Sequence, residues 1–234
     1  MLIHNLIDKY YHKYNRKIYS SFIDLSKAFD TVPRDLLLEK LQKVGATGNF
    51  FNFFNFFKNI CTNGQSIIKL DGKITQPFSI NQRVRQGCVL SPLLFNIFMA
   101  DLANSLNDTD IGLMFEKVKM NSLFWADDIV LFAKTPQEKE RLLNMVATYY
   151  NGNKLTVNCK KTKCMIFNKT GRLYRDKITM NGALLENVRV YKYLGFLFTP
   201  SGEIKSGLQD LRDRAFRSFQ SLKCKMGDSF NRDV

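Results

Sequence analysis

Three aspartates are the residues through which this sequence could do chemistry. Asp127 and Asp128 stand side by side in "LFWADDIVLFA" (residues 123–133), and Asp24 closes "IYSSFID" (residues 18–24). An unpaired carboxylate is costly to bury, so neither run can be an uninterrupted core strand. The adjacent pair fits a tight turn between two strands, where Asp side chains bond nearby backbone. Asp24, last in an apolar-alternating stretch, sits at a strand's exit. If that strand lies beside the Asp127–Asp128 hairpin, three carboxylates converge, repel one another and raise their own pKa values. Two divalent cations would relieve the repulsion. Mg²⁺ takes hard oxygen ligands, typically one or two carboxylates plus substrate phosphates. A pair of ions about 3.5–4 Å apart clamps the attacking and leaving oxygens of an in-line phosphoryl displacement. A single Asp at a turn is more simply a cap or a solvated residue; only all three together favour metal chemistry.

The elements that must position them can be traced along the chain. Residues 18–24 form a strand that emerges from a basic leader. Residues 33–44 form a helix with Pro33 in its first turn. "NFFNFFNFFKN" (residues 49–59) makes a broad apolar helical face, either core or a base-stacking surface. Residues 66–78 form a hairpin around Asp71-Gly72, and a helix with Ser91 and Pro92 at its start runs to Leu106. Strands at 111–115, 121–126 and 129–133 precede a helix opened by the capping box Thr135–Glu138. Strands at 163–168 and 177–180, a turn at Asn181-Gly182 and a strand region at 188–198 follow. An amphipathic helix begins at Ile204, with Leu208, Leu211, Ala215, Phe219 and Leu222 on one face. Antiparallel strands mixed with helices, without βαβ alternation, indicate an α+β fold.

Composition narrows the partners. Of 234 residues, 45% are hydrophobic and twenty are Phe, enough for a sizeable core. Thirty-five basic against 21 acidic residues leave a charge of +14, which favours an anionic partner such as nucleic acid. No apolar run approaches the roughly 18 residues a membrane-spanning helix needs, and no signal peptide is expected. The five cysteines show no zinc-knuckle spacing or disulfide framework, so an intracellular, reducing compartment is expected. His4 and His12 are the only histidines, which excludes a His-based site elsewhere.

Five segments in this order, "FIDLSKAFDTV", "RQGCVLSPLLFNIFMADL", "FWADDIVLFA", "LTVNCKKTKCMIF" and "YLGFLFTPSG", resemble the palm of a reverse transcriptase of the non-long-terminal-repeat (LINE-type) retrotransposons. The resemblance covers about residues 17–200. It implies an RNA-directed DNA polymerase that adds deoxynucleotides to a primer 3′ end by two-metal catalysis. The implied partners are an RNA template, a DNA primer, deoxynucleoside triphosphates and two Mg²⁺ ions, with Mn²⁺ as a substitute. Asp24, Asp127 and Asp128 would be the catalytic acids and metal ligands. Leu25, Phe29, Gln86 and Gly87 would contact the incoming nucleotide, with Phe29 gating the sugar's 2′ position. Lys161 would protonate the pyrophosphate leaving group, and Tyr193, Leu194 and Gly195 would hold the primer end. Phe29 as an ordinary core residue and Lys161 as a solvated surface charge are the plain alternatives.

The implied architecture is a polymerase palm, an antiparallel sheet flanked by helices, with partial fingers and a truncated thumb. Residues 1–200 would be palm and partial fingers, and residues 201–234 the start of the thumb. Trp125 stands where the family usually has Phe, and Arg83 where Gly is common. Only 23 residues precede Asp24, fewer than the family's fingers, so a piece of a larger protein is expected. A nucleic-acid-binding remnant without turnover is the competing class.

Overall fold

A computed structural model describes residues 2–26, 28–44, 65–79 and 91–226. In chain order its elements are α1 (Leu2–Tyr14), β1 (Ile18–Ile23), α2 (Ala28–Thr31), α3 (Arg34–Lys43), the short strands β2 (Gln65–Ser66), β3 (Lys69–Leu70), β4 (Lys73–Ile74) and β5 (Phe78–Ser79), and α4 (Ser91–Asn107). Then come β6 (Leu113–Phe115), β7 (Val118–Met120), β8 (Ser122–Trp125), β9 (Asp128–Ala133), α5 (Pro136–Gly152) and β10 (Lys163–Phe167). The chain continues through β11 (Thr179–Met180), β12 (Ala183–Leu184), β13 (Glu186–Asn187), β14 (Tyr191–Tyr193), β15 (Phe196–Phe198) and α6 (Ile204–Met226).

Five strands make the central sheet, in the spatial order β13-β10-β1-β9-β8. β1 is its middle strand, antiparallel to β9 and to β10, while β13 joins β10 in parallel. Side chains alternate along each strand, so each strand feeds two cores. Ile23, Ile129, Leu131 and Ala133 pack toward Leu37, Phe95, Phe98 and Val146 of the helices α3, α4 and α5. Phe22, Val130, Phe132 and Phe167 face the other way, onto Ile3, Leu6 and Ile7 of α1 and onto Tyr193 and Phe198 of the β14–β15 hairpin.

Local chemistry sets the element ends. Thr135 Oγ1 accepts from the Glu138 N–H at 3.1 Å, and Glu138 Oε2 accepts from the Lys134 N–H at 2.7 Å. That is the expected cap of α5, with Pro136 at its first position. α1 was not expected, since residues before β1 read as a basic leader. Ile3, Leu6, Ile7 and Tyr10 are buried at helical spacing and close the second face of the sheet. α1 docks through His4, whose ring meets Phe196 edge-on and stacks on Phe198, with centroids 4.8 Å from each. His4 Nδ1 lies 3.0 Å from the Gly202 carbonyl, which fixes the Nδ1–H tautomer. Gly202 has φ +66°, and a Cβ there would come within 2.5 Å of Ile7, so only glycine lets α1 sit this close.

Two buried lysines tie the helical layer together. Lys40 Nζ donates to the Phe98 carbonyl at 2.9 Å and to the Tyr149 hydroxyl at 2.6 Å, and pairs with Asp101 at 3.0 Å. Lys139 is fully buried and pairs with Asp176 at 3.4 Å. The expected strand at 111–115 is one half of the β6–β7 hairpin, and the expected helical face at 49–59 lies outside the described residues. Leu208, Leu211, Phe219 and Leu222, on the expected apolar face of α6, are exposed. No helix among the described residues is long and apolar enough to cross a membrane.

Candidate active site

The turn in "WADD" joins β8 to β9 with Trp125 opposite Asp128. Two residues make that turn, and Ala126 takes a left-handed φ of +53°. A primed turn of this length matches the twist of the flanking strands. It leaves Trp125 exposed at the tip and holds Asp127 and Asp128 half-buried, so neither carboxylate enters the core.

Asp24 arrives beside them from β1. The β1–β9 register runs to Ile23 opposite Ile129, so the next position outward sets Asp24 across from Asp128. Alternation places both on the face of Phe22 and Val130, beneath the β14–β15 hairpin. The backbone past β1 is held from the other side. The Asp24 N–H donates to Thr162 Oγ1 at 3.2 Å, and its carbonyl accepts from the Asn158 N–H at 2.9 Å. Leu25, which is buried, bridges to Val157.

The electrostatics agree with this placement. Burial pushes the Asp128 carboxyl above its ordinary pKa, and the charges of Asp127 and Asp24 push it further. The Tyr191 phenol is raised by burial and then by Asp24 and Asp128. The Tyr150 phenol, on the helical side of the sheet, is raised by burial, then by Tyr149 and by the charge of Asp127. The three aspartates therefore share one field. They are not drawn into a finished cage: among the described residues no three His, Cys, Asp or Glu side chains stand ready to hold a metal.

The other expected residues divide into three groups. Lys161 lies in the turn beside Asp24, its N–H bonded to Asn158, with its side chain exposed. Tyr193 is buried, and its hydroxyl donates to the Asp128 carbonyl at 3.4 Å. Leu194 and Gly195, with φ +48° and +77°, form the hairpin tip, where Leu194 is exposed and Arg214 bonds the Gly195 carbonyl. Phe29 falls in α2, but its ring, like all of Gln86 and Gly87, lies outside the described residues. Tyr191, which stacks on Phe22 with centroids 4.4 Å apart, was not singled out from the sequence. The spacing of Tyr191 and Tyr193 on one strand face was the available signal.

Comparison with known proteins shows the family and the fold. The family model described as "Reverse transcriptase (RNA-dependent DNA polymerase)" matches residues 2–198. The chain belongs to the reverse transcriptase family. It is 30% identical over 86% of its length to a Pol polyprotein from the retrotransposable element R2DM of Drosophila melanogaster. It is 26% identical over 89% to one from element R2 of Popillia japonica, and 28% identical over 88% to the RNA-directed DNA polymerase from mobile element jockey of Drosophila funebris. These relatives support the retrotransposon branch that the motifs indicated. The chain spans 19% of the R2DM relative and 35% of the Popillia one. Its fold is shared with apo telomerase from Candida tropicalis, at a TM-score of 0.61 with 12% identity, covering 86% of this chain and 34% of that one. The α+β palm is thus the architecture of this family member.

Proposed function

We propose that this reverse transcriptase palm adds deoxynucleotides to a DNA primer on an RNA template, with the aspartates holding two Mg²⁺ ions. The observation that carries the reading is the meeting of Asp24 with Asp128 across β1 and β9, and of Asp127 in the adjoining turn. The donor set fits: hard, half-buried carboxylate oxygens, with Asp128 raised in pKa by burial and then by its neighbours' charge, are what a small dication neutralises. An unfinished cage also suits Mg²⁺, which keeps positions for water and substrate phosphates. Bound there, the ions would lower the pKa of the primer 3′ hydroxyl and steady the charge on the departing pyrophosphate.

The chain's own groups then have distinct tasks. Asp24 and Asp127 would supply the principal ligands and Asp128 the third acid. Lys161, exposed in the turn whose Asn158 and Thr162 bond the Asp24 backbone, would hand a proton to the pyrophosphate. Leu25, Phe29, Gln86 and Gly87 would line the nucleotide, and Leu194 and Gly195 at the hairpin tip would meet the primer, with Tyr193 fastening that hairpin to β9. Residues 1–200 would serve as palm with partial fingers, and the remainder would open the thumb.

The test is primer extension by the whole chain on an RNA template, with Mg²⁺ or Mn²⁺, beside the Asp127→Asn variant. Extension by the native chain and not by the variant supports the proposal. Template binding without extension by either would favour the alternative, a binding remnant without turnover.

A further inference from the structure

The end of the sheet away from the carboxylates carries a basic cleft. Ile18 opens β1 opposite Phe167, the last residue of β10. Arg16, Lys17 and the loop after β10 therefore lie together, about 20 Å from Asp24 at a rise of about 3.3 Å per residue. A cleft of about 160 Å³ forms there, lined by Arg16, Lys17, Asn168, Lys169, Thr170 and Tyr174. Lys169 also lines a wider cleft of about 520 Å³ that reaches Ser201 and Lys205, so the two clefts meet at Lys169.

The narrow end is positively charged and organised. Among the described residues no carboxylate pairs with Arg16, Lys17 or Lys169. Asp8 and Glu203 line the wider cleft, and no acidic residue lines the narrow one. Lys17 Nζ lies 3.5 Å from the centroid of the half-buried Tyr174 ring. The loop bearing Lys169 is set by the buried Asn168, whose Oδ1 accepts from Thr170 Oγ1 at 2.7 Å and from the Arg172 N–H at 3.1 Å. Its amide donates to the Ile166 and Arg172 carbonyls. Lys169 is thus presented from a fixed turn.

We propose that this groove binds the sugar–phosphate backbone of unpaired RNA, at a site separate from the carboxylates. Uncompensated cations on a concave surface concentrate anions. A basic groove with an aromatic beside it suits a single strand, and a cleft of about 160 Å³ has room for one backbone phosphate between the cations. A strand held here and at the carboxylate end would run along the sheet. The inference needs no nucleotidyl transfer, so it stands or falls apart from the proposed activity.

The test is fluorescence anisotropy of the whole chain, in EDTA, with an unstructured RNA of about 20 nucleotides, long enough to span several contacts. Arg16→Gln/Lys169→Gln changes two exposed side chains and keeps Lys17 on Tyr174, so its melting should match the native chain. It should bind at least about tenfold more weakly, with a log–log salt slope reduced by about 1.4, or 0.7 per lost phosphate contact. Lys117→Gln/Arg189→Gln removes the same charge from other exposed positions and should weaken binding less than about threefold. Equal losses in the two variants would mean that the diffuse charge does the binding, and would overturn the site. A loss as large on a blunt RNA–DNA duplex as on the single strand would overturn its assignment to unpaired RNA.

Discussion

Asp128 is the residue at which the site's electrostatic cost is most visible. Burial and two neighbouring carboxylates raise its pKa in the folded chain, so its ionised form is better tolerated after unfolding. A raised folded pKa gives a contribution that is full below the ordinary carboxylate range and lost as pH rises through the folded value. Asp128→Asn should therefore melt above the native chain at pH 7 in EDTA. The gap should close as the buffer is taken below pH 4, the region of the ordinary value of 3.8. A gap independent of pH would remove repulsion as its cause. Asp127→Asn should instead leave the fold intact and abolish primer extension, losing at least about 10³ in rate if a metal ligand is gone. Near-native extension by that variant would end the metal-site proposal. Asp24, Asp127 and Asp128 were legible in the sequence because carboxylates interrupting apolar strands have few structural uses. Tyr191 was not, because an aromatic in a strand reads as core until something shows that it stacks on Phe22, two residues before Asp24.

Helix α1 is the element whose docking has a pH signature. Burial lowers the His4 pKa from its ordinary 6.5, and His4 Nε2 is buried without a partner. A proton added there would find no acceptor, so the neutral ring is the docked form. A lowered folded pKa gives stability that is present above pH 6.5 and lost as pH falls below it. Limited proteolysis or amide exchange of α1 should accelerate below about pH 6, and His4→Phe should abolish that pH dependence. In the helical layer, Lys139 has no exposure and depends on Asp176. Asp176→Ala strands that charge and should cost about 3 kcal/mol in chemical denaturation; a cost under about 1 kcal/mol would show the pair to be solvated. Neither role was legible: "PQEKERLL" reads as an exposed helical face, and only the tertiary fold carries Lys139 inside. The cap at Thr135 was legible because its chemistry lies within four residues, whereas α1 was passed over despite its apolar spacing.

For the molecule as a whole, alternation along β1, β9 and β10 is what both cores and the active end depend on. Period-two strands fixed which residues face α3–α5 and which face α1, and the same period carries Asp24 and Asp128 outward on one face beyond their last core residues, Ile23 and Ile129. The fold class and the β8–β9 hairpin could be anticipated from that pattern, whereas the pairing of β1 with β9 entered only as a condition and those of β10 with β1 and β13 were not anticipated. The exposed stripe of α6 could not, since periodicity predicts a face but not what covers it. The net charge of +14 bears on the metal proposal in a further way. A basic chain repels dications in general, so only a local acidic site should give a Mg²⁺-specific gain in stability. An ion held only by the folded state with a Kd of about 1 mM would add about 1.4 kcal/mol at about 10 mM, from the ratio of ligand concentration to Kd. For a chain of this length that is a rise in melting temperature of about 3–5 °C. The shift should be seen with MgCl₂ and not with NaCl of equal ionic strength, which separates coordination from screening. It should vanish in Asp24→Asn/Asp127→Asn, which removes two carboxylates and little volume. A shift that survives in that double variant would place the cation elsewhere, and no shift in the native chain would mean that the aspartates hold metal only when nucleotide phosphates complete the ligand set.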